Sequence, residues 1–257
     1  MIDRCPICGE WYEACSPSCG GCWPEADGQT GLAERTIIDI WSTVPAPPAP
    51  ELKSVIIGPE SSALLILDME TTICKNPRCL ATIAKIKQLM NKARQCGMPV
   101  VYSLTRTGSP ADIAAELAPT PDDPIVRSNV DKFYKTNLNG ILQEQGIRTV
   151  IVTGYAANGA VLHTATAAAF RGYQVIVPVD GMSANNPYAE QYTAWHMLNS
   201  PGTRNRAVLT KAGLIRIGYH GQHSSFEGMA CTGHPNNALP GFHKLVKPWL
   251  LPAPCIF

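Results

Sequence analysis

The sequence lacks an excess of charge of either sign, and it lacks a long apolar run. Its 257 residues carry 21 basic and 20 acidic side chains, for a formal net charge of +1. That balance predicts neither nucleic acid nor a membrane surface as a partner. No apolar run reaches the roughly 18 residues needed to span a bilayer, and the first residues have no apolar segment typical of a secretory signal. We therefore expect a cytoplasmic protein.

The ten cysteines are unevenly distributed along the chain. In a cytoplasmic protein, free thiols or metal ligands are expected more often than disulfides. Residues 1–30 contain two Cys-x-x-Cys pairs, whose spacing lets both thiolates of a pair contact one ion. These pairs are formed by Cys5, Cys8, Cys19 and Cys22. They predict either a structural zinc site or an extension whose thiols bind nothing.

Proline content separates this segment from the rest of the chain. Residues 31–59 are read as an arm and linker, because the proline-rich stretch 43–53 favours a stiff polyproline II conformation that cannot join a helix. Just before that stretch, Ile37, Ile38, Ile40 and Trp41 form an apolar patch. Such a patch needs a covering surface, which either the main domain or a second subunit could supply.

Residues 60–217 are predicted to form one α/β domain. Short apolar runs typical of strands buried on both faces occur at 63–67, 99–104, 150–152, 175–179 and 207–210. Helical patterns lie between them, at 77–95, 138–145, 158–172 and 187–198. This alternation predicts a parallel sheet with helices on both faces. Residues 218–257 have no such periodicity, and we expect a loosely attached tail.

The stretch 149–173 is the clearest strand–turn–helix unit of the chain. A buried strand ends near Gly154, and a helix begins near Asn158 and ends before Gly172. Free backbone N–H groups and the positive end of the helix dipole point into such a turn. Ligands of open α/β sheets bind at this kind of corner.

Asp68 follows directly after the first buried strand of the domain. A carboxylate at the carboxyl end of a central strand can act as a general base or acid when its neighbours adjust its pKa. The alternative is a helix cap or a salt bridge. We favour the functional role, because the motifs described next support it.

Several motifs in fixed order resemble those of the isochorismatase-like hydrolases, also called the cysteine hydrolase superfamily. They are the segments 63–69, 133–138, 146–147, 154–161, 164–165, 172–173 and 179–180. The resemblance covers roughly residues 60–215. It implies a three-layer α/β/α sandwich with a mostly parallel six-stranded sheet. Members of the family include nicotinamidases, amidohydrolases of carbamoyl amines and ureido acids, and isochorismatases.

The resemblance also implies a catalytic set of aspartate, lysine and cysteine, and this chain departs from it. Asp68 matches the aspartate, whereas Ala160 stands at the position of the nucleophilic cysteine. Arg127 stands at the spacing of the lysine, and arginine cannot exchange a proton at ordinary pH. Lys132 lies immediately before Phe133 and is our preferred alternative cation. We expect one of these cations to lie beside Asp68, and Asp68 to lie near Ala160.

In the family, a cis peptide at a non-proline residue shapes the oxyanion hole. Here the bond would join Tyr155 to Ala156, and the hole would use the N–H groups of Ala156 and Ala160. Asn158 and Gly159 complete the same turn and are candidate substrate-binding residues, together with Tyr155 and Arg127. Since residues 105–130 contain no histidine, we expect no catalytic metal and no cofactor for catalysis.

Three hypotheses for the function remain open at this point. The first is a hydrolase that acts on a small anionic substrate without a covalent intermediate, using Asp68 and a cation from Lys132 or Arg127. The second is a non-catalytic family member that binds a metabolite or partner. The third is an amidase that uses Cys74 or Cys79 as its nucleophile. The resemblance and the apolar patch further predict a homo-oligomer, either a dimer or a tetramer.

Overall fold

The computed structural model describes residues 35–218, which fall into two compact units, Met1–Pro48 and Ala49–Phe257. The described part of the first unit contains one helical turn, Trp41–Thr43. The side chains of Ile37, Ile38 and Trp41 there are exposed. The expected zinc ligands Cys5, Cys8, Cys19 and Cys22 and the expected tail from 219 onwards lie outside the described residues.

The second unit carries the regular secondary structure of the described chain. Its elements are β1 (Val55–Ile57), β2 (Ser62–Leu67), α1 (Pro77–Gln95), β3 (Val100–Leu104), β4 (Ile125–Arg127), α2 (Leu138–Glu144), β5 (Thr149–Tyr155), α3 (Leu162–Phe170), β6 (Gln174–Pro178), β7 (Met182–Ser183), α4 (Pro187–Asn199), β8 (Ala207–Thr210) and β9 (Ile215–Ile217). A π-helical turn, Ala157–Val161, leads into α3.

The main sheet has the order β4-β3-β2-β5-β6-β8, and each of these neighbouring pairs is parallel. The two-residue strand β7 is added to it by pairing with the end of β5. A separate parallel pair joins β1 to β9. The six-stranded parallel sheet expected from the sequence is therefore present, with β7 as a short addition.

Two hydrophobic cores lie on the two faces of this sheet, because side chains alternate along each strand. Leu64 and Ile66 of β2 belong to the core beneath α1. Leu65 and Leu67 belong to the opposite core, beneath α2, α3 and α4. Each strand residue of β2 is buried, which is the pattern that a sheet covered on both faces requires. The three-layer sandwich is confirmed.

Helix α1 has well-defined signals at both ends. The side chain of Asn76 accepts a hydrogen bond from the N–H of Cys79, and Pro77 occupies the first helical position, where its missing N–H costs nothing. Beyond the helix, Gly97 adopts a φ of +67°, a conformation that glycine reaches without penalty. None of the helices in the range 35–218 is long and apolar enough to cross a membrane.

A disulfide bond joins Cys74, in the turn after β2, to Cys79 in the first turn of α1. The expectation that the cysteines are free thiols or metal ligands is therefore wrong for this pair. That expectation followed from an assumed reducing compartment, and nothing in the local spacing could correct it.

Strands β2 and β5 approach each other unusually closely at their carboxyl ends. Gly154 has a φ of +126°, and a Cβ atom built there would lie 2.0 Å from the carbonyl oxygen of Leu67. Only glycine fits both the conformation and the space. This contact brings the end of β2, which carries Asp68, beside the turn that leads into α3.

Candidate active site

Asp68 leaves β2 with a left-handed backbone, at a φ of 49°. Regular alternation would turn its side chain toward α1, with Leu64 and Ile66. Instead its carboxylate accepts a hydrogen bond of 2.7 Å from the hydroxyl of Ser103. Ser103 lies in β3, two positions after Val101, which packs in the core beneath α3. The unusual backbone therefore brings the carboxylate to the side of the sheet that carries α3.

Lys132 provides the cation of the site. Its side chain is fully buried, and its Nζ lies 2.7 Å from Oδ2 of Asp68. The ammonium also donates to the carbonyl oxygen of Ser128 at 3.0 Å and approaches that of Leu104 at 3.4 Å. Because an ammonium has three donors, these three acceptors account for its full capacity. Lys132 is thereby fixed against Asp68.

Thr164 connects the loop of Lys132 to helix α3. Its hydroxyl accepts from the backbone N–H of Lys132 at 3.2 Å and contacts the carbonyl oxygen of Val130 at 3.2 Å. Ala160 lies one turn earlier on the same side of the chain, and its side chain is buried. Ala160, at which the resemblance places the nucleophile, is therefore one helical turn away from the residue that holds Lys132 in place.

Arg127, the other candidate cation, is placed differently. It is the last residue of β4, its side chain is exposed, and its Nε donates to the carbonyl oxygen of Gly108 at 3.1 Å. The ion pair of Asp68 is made with Lys132 instead. Of the two cations that the sequence offered, the structure brings Lys132 to the carboxylate.

The environment of Asp68 favours its protonated form. Burial raises the pKa of this carboxyl above its ordinary value, and the nearby charge of Glu70 acts in the same direction. The ion pair with Lys132 and the hydrogen bond from Ser103 lower the pKa, but burial is the largest influence. Asp68 therefore holds its proton to a higher pH than an exposed aspartate does.

The turn between β5 and α3 lies beside the loop of Lys132. The peptide bond from Tyr155 to Ala156 is cis, the isomer that the resemblance implies. The N–H groups of Gly159 and Val161 both donate to the carbonyl oxygen of Ala156, at 2.9 and 3.2 Å. A Cβ on Gly159 would lie 3.8 Å from the side chain of Val130, two residues before Lys132.

Two side chains of this turn point to different surroundings. The hydroxyl of Tyr155 donates to Oδ1 of Asn185 at 2.7 Å, and that oxygen also accepts from Asn76 at 2.9 Å. Tyr155 is thus connected to the residue that caps α1. Asn158, in contrast, is exposed to solvent and is free of this network of hydrogen bonds among Tyr155, Asn185 and Asn76.

The disulfide excludes the third functional hypothesis. The sulfur atoms of Cys74 and Cys79 are bonded to each other, and both residues are buried. A nucleophile must be a free thiolate, so an amidase based on either of these cysteines is wrong for this structure.

The sequence interpretation missed four residues that surround the Asp68–Lys132 pair: Ser103, Ser128, Thr164 and Glu70. Two of them had a recognisable signal. Ser103 is a polar residue within the apolar run of β3, and Thr164 is polar within the alanine-rich start of α3. Polar side chains in such runs need a partner once they are buried. Within residues 35–218, no group of three or more His, Cys, Asp and Glu side chains is arranged to hold a metal ion.

Comparisons with known proteins show the family of this chain. Residues 62–212 match the model of the isochorismatase domain. An uncharacterized isochorismatase family protein of Bacillus subtilis is 28% identical over 163 residues, 53% of this chain and 88% of that protein. A secreted isochorismatase effector of Verticillium dahliae is 29% identical over 138 residues, 48% of this chain and 73% of its own.

The fold is also that of a solved nicotinamidase from Staphylococcus aureus. The superposition has a TM-score of 0.54 at 21% identity and covers 59% of this chain and 99% of the nicotinamidase. Since the family model matches more than half of the sequence, this chain belongs to the isochorismatase family. That family consists of hydrolases, and its members share the α/β/α architecture described above.

Proposed function

We propose that this protein is a hydrolase that acts on a small anionic metabolite without forming a covalent enzyme intermediate. The observation that carries the proposal is the buried Asp68–Lys132 pair beside a turn whose nucleophile position is Ala160. An acid and a cation remain in place, whereas a methyl group cannot attack a carbonyl. Chemistry that needs proton transfer and water, but no enzyme nucleophile, fits these residues best.

Hydrolysis of a vinyl ether is the reaction type that meets this description. The protonated carboxyl of Asp68 donates its proton to the terminal carbon of the double bond, which leaves an oxocarbenium ion. Water adds to the cationic carbon and returns one proton to Asp68. The resulting hemiketal then breaks into a carbonyl compound and an alcohol. The raised pKa of Asp68 supports its role as a general acid.

The negative charge of the substrate would be bound by the backbone around α3. In this proposal the N–H groups of Ala156 and Ala160 face the anion at the amino end of the helix, where the helix dipole is favourable. Gly159 leaves space in the turn, and Asn158 and Tyr155 border it. Arg127 would act from its exposed position at the end of β4. Lys132 has no free donor, so its role is to hold Asp68.

A second candidate function is binding without catalysis. The buried methyl of Ala160 favours it, because the loss of the nucleophile is what a non-catalytic family member would show. Such a protein would keep the Asp68–Lys132 pair as a structural remnant and bind a metabolite or partner at the same turn.

A screen of vinyl ethers, amides and ureido acids separates the two candidates. We expect turnover of an anionic vinyl ether, and a loss of about 100-fold or more in Asp68→Asn, which keeps the shape but not the acid. Arg204→Gln, at an exposed position, serves as the control and should keep full activity. Calorimetric binding of the same compounds without turnover would support the second candidate and contradict the first.

The substitution Ala160→Cys tests the arrangement of the turn. A thiol at this position would lie one turn from Thr164, whose hydroxyl contacts the N–H of Lys132, so we expect slow amide hydrolysis that wild type lacks. The matched control is Ala160→Ser, which adds a weaker nucleophile at the same place. Amide hydrolysis in neither variant would show that the turn cannot accommodate an acyl substrate.

We also propose that the protein is a homo-oligomer, dimeric or tetrameric. The exposed apolar side chains of Ile37, Ile38 and Trp41 support a surface that a second copy covers. A monomer mass in light scattering at micromolar concentration would contradict this. A structural zinc ion at Cys5, Cys8, Cys19 and Cys22, with no cofactor for catalysis, likewise stays a proposal, which metal analysis of the purified protein can test.

The proposed cytoplasmic location has one observation against it. The Cys74–Cys79 disulfide is of a kind that persists in oxidising environments and is rare in a reducing cytosol. Thiol counting on protein extracted under acid quench from the native source would decide between the oxidised and reduced forms.

A further inference from the structure

Glu70 is a second buried carboxylate, two residues after Asp68. Only 1% of its surface is exposed. One carboxylate oxygen accepts from the backbone N–H of Thr105 at 2.6 Å, and the other accepts from the hydroxyl of Thr105 at 3.0 Å. The carbonyl oxygen of Glu70 accepts from the N–H groups of Ile73 and Cys74. Both the side chain and the backbone of Glu70 are therefore fixed.

No cation accompanies this carboxylate in the described part of the chain. The three ion pairs within residues 35–218 are Arg78–Glu190, Arg94–Asp123 and Lys132–Asp68. Both donors to Glu70 come from Thr105 and are neutral. Buried carboxylates are costly unless they are paired or protonated. The charge of Glu70 must therefore be compensated by a group that also acts on its neighbours.

The two carboxylates are held by residues of the same strand end. Asp68 accepts from Ser103 and Glu70 accepts from Thr105, and successive strand residues advance by about 3.3 Å, so these anchors are roughly 7 Å apart. The buried group thus contains two acids and the one ammonium of Lys132. It carries a net charge of −1 when both acids are ionised, and it is neutral when one acid is protonated.

We propose that the fixed negative charge of Glu70 keeps the proton on Asp68, so that Glu70 acts on the reaction through Asp68. Lys132 offers one positive charge to two buried acids and contacts only Asp68, so the group is neutral when one acid carries a proton, and in this proposal that acid is Asp68. The catalytic part of this inference rests on the proposed role of Asp68 as a general acid. Glu70 itself touches no substrate and is a positioning residue for the proton.

Two charged groups act on Asp68, Lys132 and Glu70, and of these Glu70 is the one that favours the protonated form. Lys132 faces it from the loop before α2, Ser103 faces it from β3 without charge, and Glu70 faces it from its own segment. Burial is the largest cause that raises the pKa of Asp68, and Glu70 is the charge that adds to it. From α3 the neutral hydroxyl of Thr164 accepts from the backbone N–H of Lys132.

The test is a carboxyl titration of Asp68 by ¹³C NMR in wild type and in Glu70→Gln. Asp68→Asn identifies the resonance. The amide of the glutamine removes the charge and keeps an acceptor for the N–H of Thr105, and its NH2 group can donate to the Thr105 hydroxyl, which donates to Glu70 in wild type. We expect the titration midpoint of Asp68 to fall by about 1 pH unit, the usual size of a near like-charge interaction. An unchanged midpoint would overturn the proposal.

Two further variants make the result specific to Glu70. Glu116→Gln removes the same charge from an exposed position and should leave the midpoint unchanged. If Glu70→Gln does not fold, as judged by near-ultraviolet circular dichroism, Glu70→Met is the second uncharged variant for the same titration. A shift of equal size in Glu116→Gln would assign the effect to overall charge and would also overturn the proposal.

The titration needs no substrate, so it separates this inference from the proposed function. If a vinyl ether is turned over, Glu70→Gln should move the descending limb of kcat/KM to lower pH by the same amount as the midpoint. If the titration midpoint of Asp68 shifts but the descending limb of kcat/KM does not, the role of Glu70 in catalysis is refuted. The charge coupling between Glu70 and Asp68 would still be supported. Absence of all turnover would refute the proposed function, while the midpoint alone would still decide whether Glu70 controls the proton.

Discussion

Two ion pairs of this protein illustrate opposite uses of charge. In the Lys132–Asp68 pair the side chains are 0% and 7% exposed, whereas in the Arg78–Glu190 pair they are 48% and 17% exposed. The exposed pair joins the first turn of α1 to the first turn of α4, where Glu190 also accepts from the N–H of Ala184. The buried pair joins the end of β2 to the loop that precedes α2.

The comparison teaches that the burial of the Lys132–Asp68 pair does not by itself mean that the fold needs this pair for stability. Exposed pairs add about 0–1 kcal/mol, because water and salt screen them. Removing one partner of a buried pair is far more costly, yet replacing both partners by apolar residues is often neutral or stabilising. A buried pair that stability alone does not require is therefore best explained by chemistry at Asp68.

The largest effect is expected for Lys132→Met. This change removes the one ammonium that compensates the buried acids Asp68 and Glu70, and it should lower the free energy of unfolding by about 3–5 kcal/mol in urea denaturation. A variant that combines Lys132→Met with Asp68→Leu and Glu70→Gln removes the ammonium together with both acids and should recover much of that loss. If this combined variant is no more stable than Lys132→Met, the buried charges are a source of stability and our comparison is wrong.

An intermediate effect is expected in the pH dependence of stability. Burial raises the pKa of Asp68 in the folded state above its ordinary value of 3.8. The folded chain then binds this proton more tightly than the unfolded chain, so the contribution of Asp68 to stability falls as pH rises from 3.8 through the folded pKa. Each pH unit by which the pKa of Asp68 is raised corresponds to about 1.4 kcal/mol in the free energy of unfolding.

Asp68→Asn cannot titrate and provides the reference for that measurement. The unfolding free energy of wild type minus that of Asp68→Asn should decrease across this pH window, as followed by urea denaturation at a series of pH values. A difference that increases with pH would mean that Lys132 outweighs burial and that the pKa of Asp68 is lowered.

The smallest effect is expected for Arg78→Met, which keeps most of the aliphatic length and removes the exposed pair. The free energy of unfolding should change by less than about 1 kcal/mol. The change should shrink further at about 1 M salt, where the Debye length is only about 3 Å. A loss comparable to that of Lys132→Met would show that the contact between α1 and α4 is far less screened than its exposure indicates.

Much of the fold could be predicted from the spacing of apolar residues and from the residues that begin and end helices and strands. The bounds of α1 and of β8 coincide with the predicted 77–95 and 207–210, because their apolar spacing and end signals are clear. Strand β4 lies where no element was predicted, and β7 has two residues. Elements this short carry no period, and they exist only because a neighbouring strand offers hydrogen bonds.

The site was predictable in part. Asp68 stood out because it follows a buried strand, but sequence spacing could not choose between Arg127 and Lys132. That choice depends on which side chain the loop buries. The loop buries Lys132, whose ammonium contacts the carbonyl oxygens of Ser128 and Leu104. The disulfide was missed because it conflicts with the assumed compartment, and Glu70 was missed because its burial depends on Thr105, which is distant in sequence.

The close approach of Gly154 to the carbonyl oxygen of Leu67 limits which amino acids this position of the sequence can accept. Every other amino acid would place a Cβ against the carbonyl oxygen of Leu67, so saturation mutagenesis should recover no functional replacement there. A directed-evolution library that aims at new substrates gains nothing from randomising this codon. The neighbouring codon of Asn158 encodes an exposed side chain that can change size without moving β2 against β5, so new activities would be sought at that position.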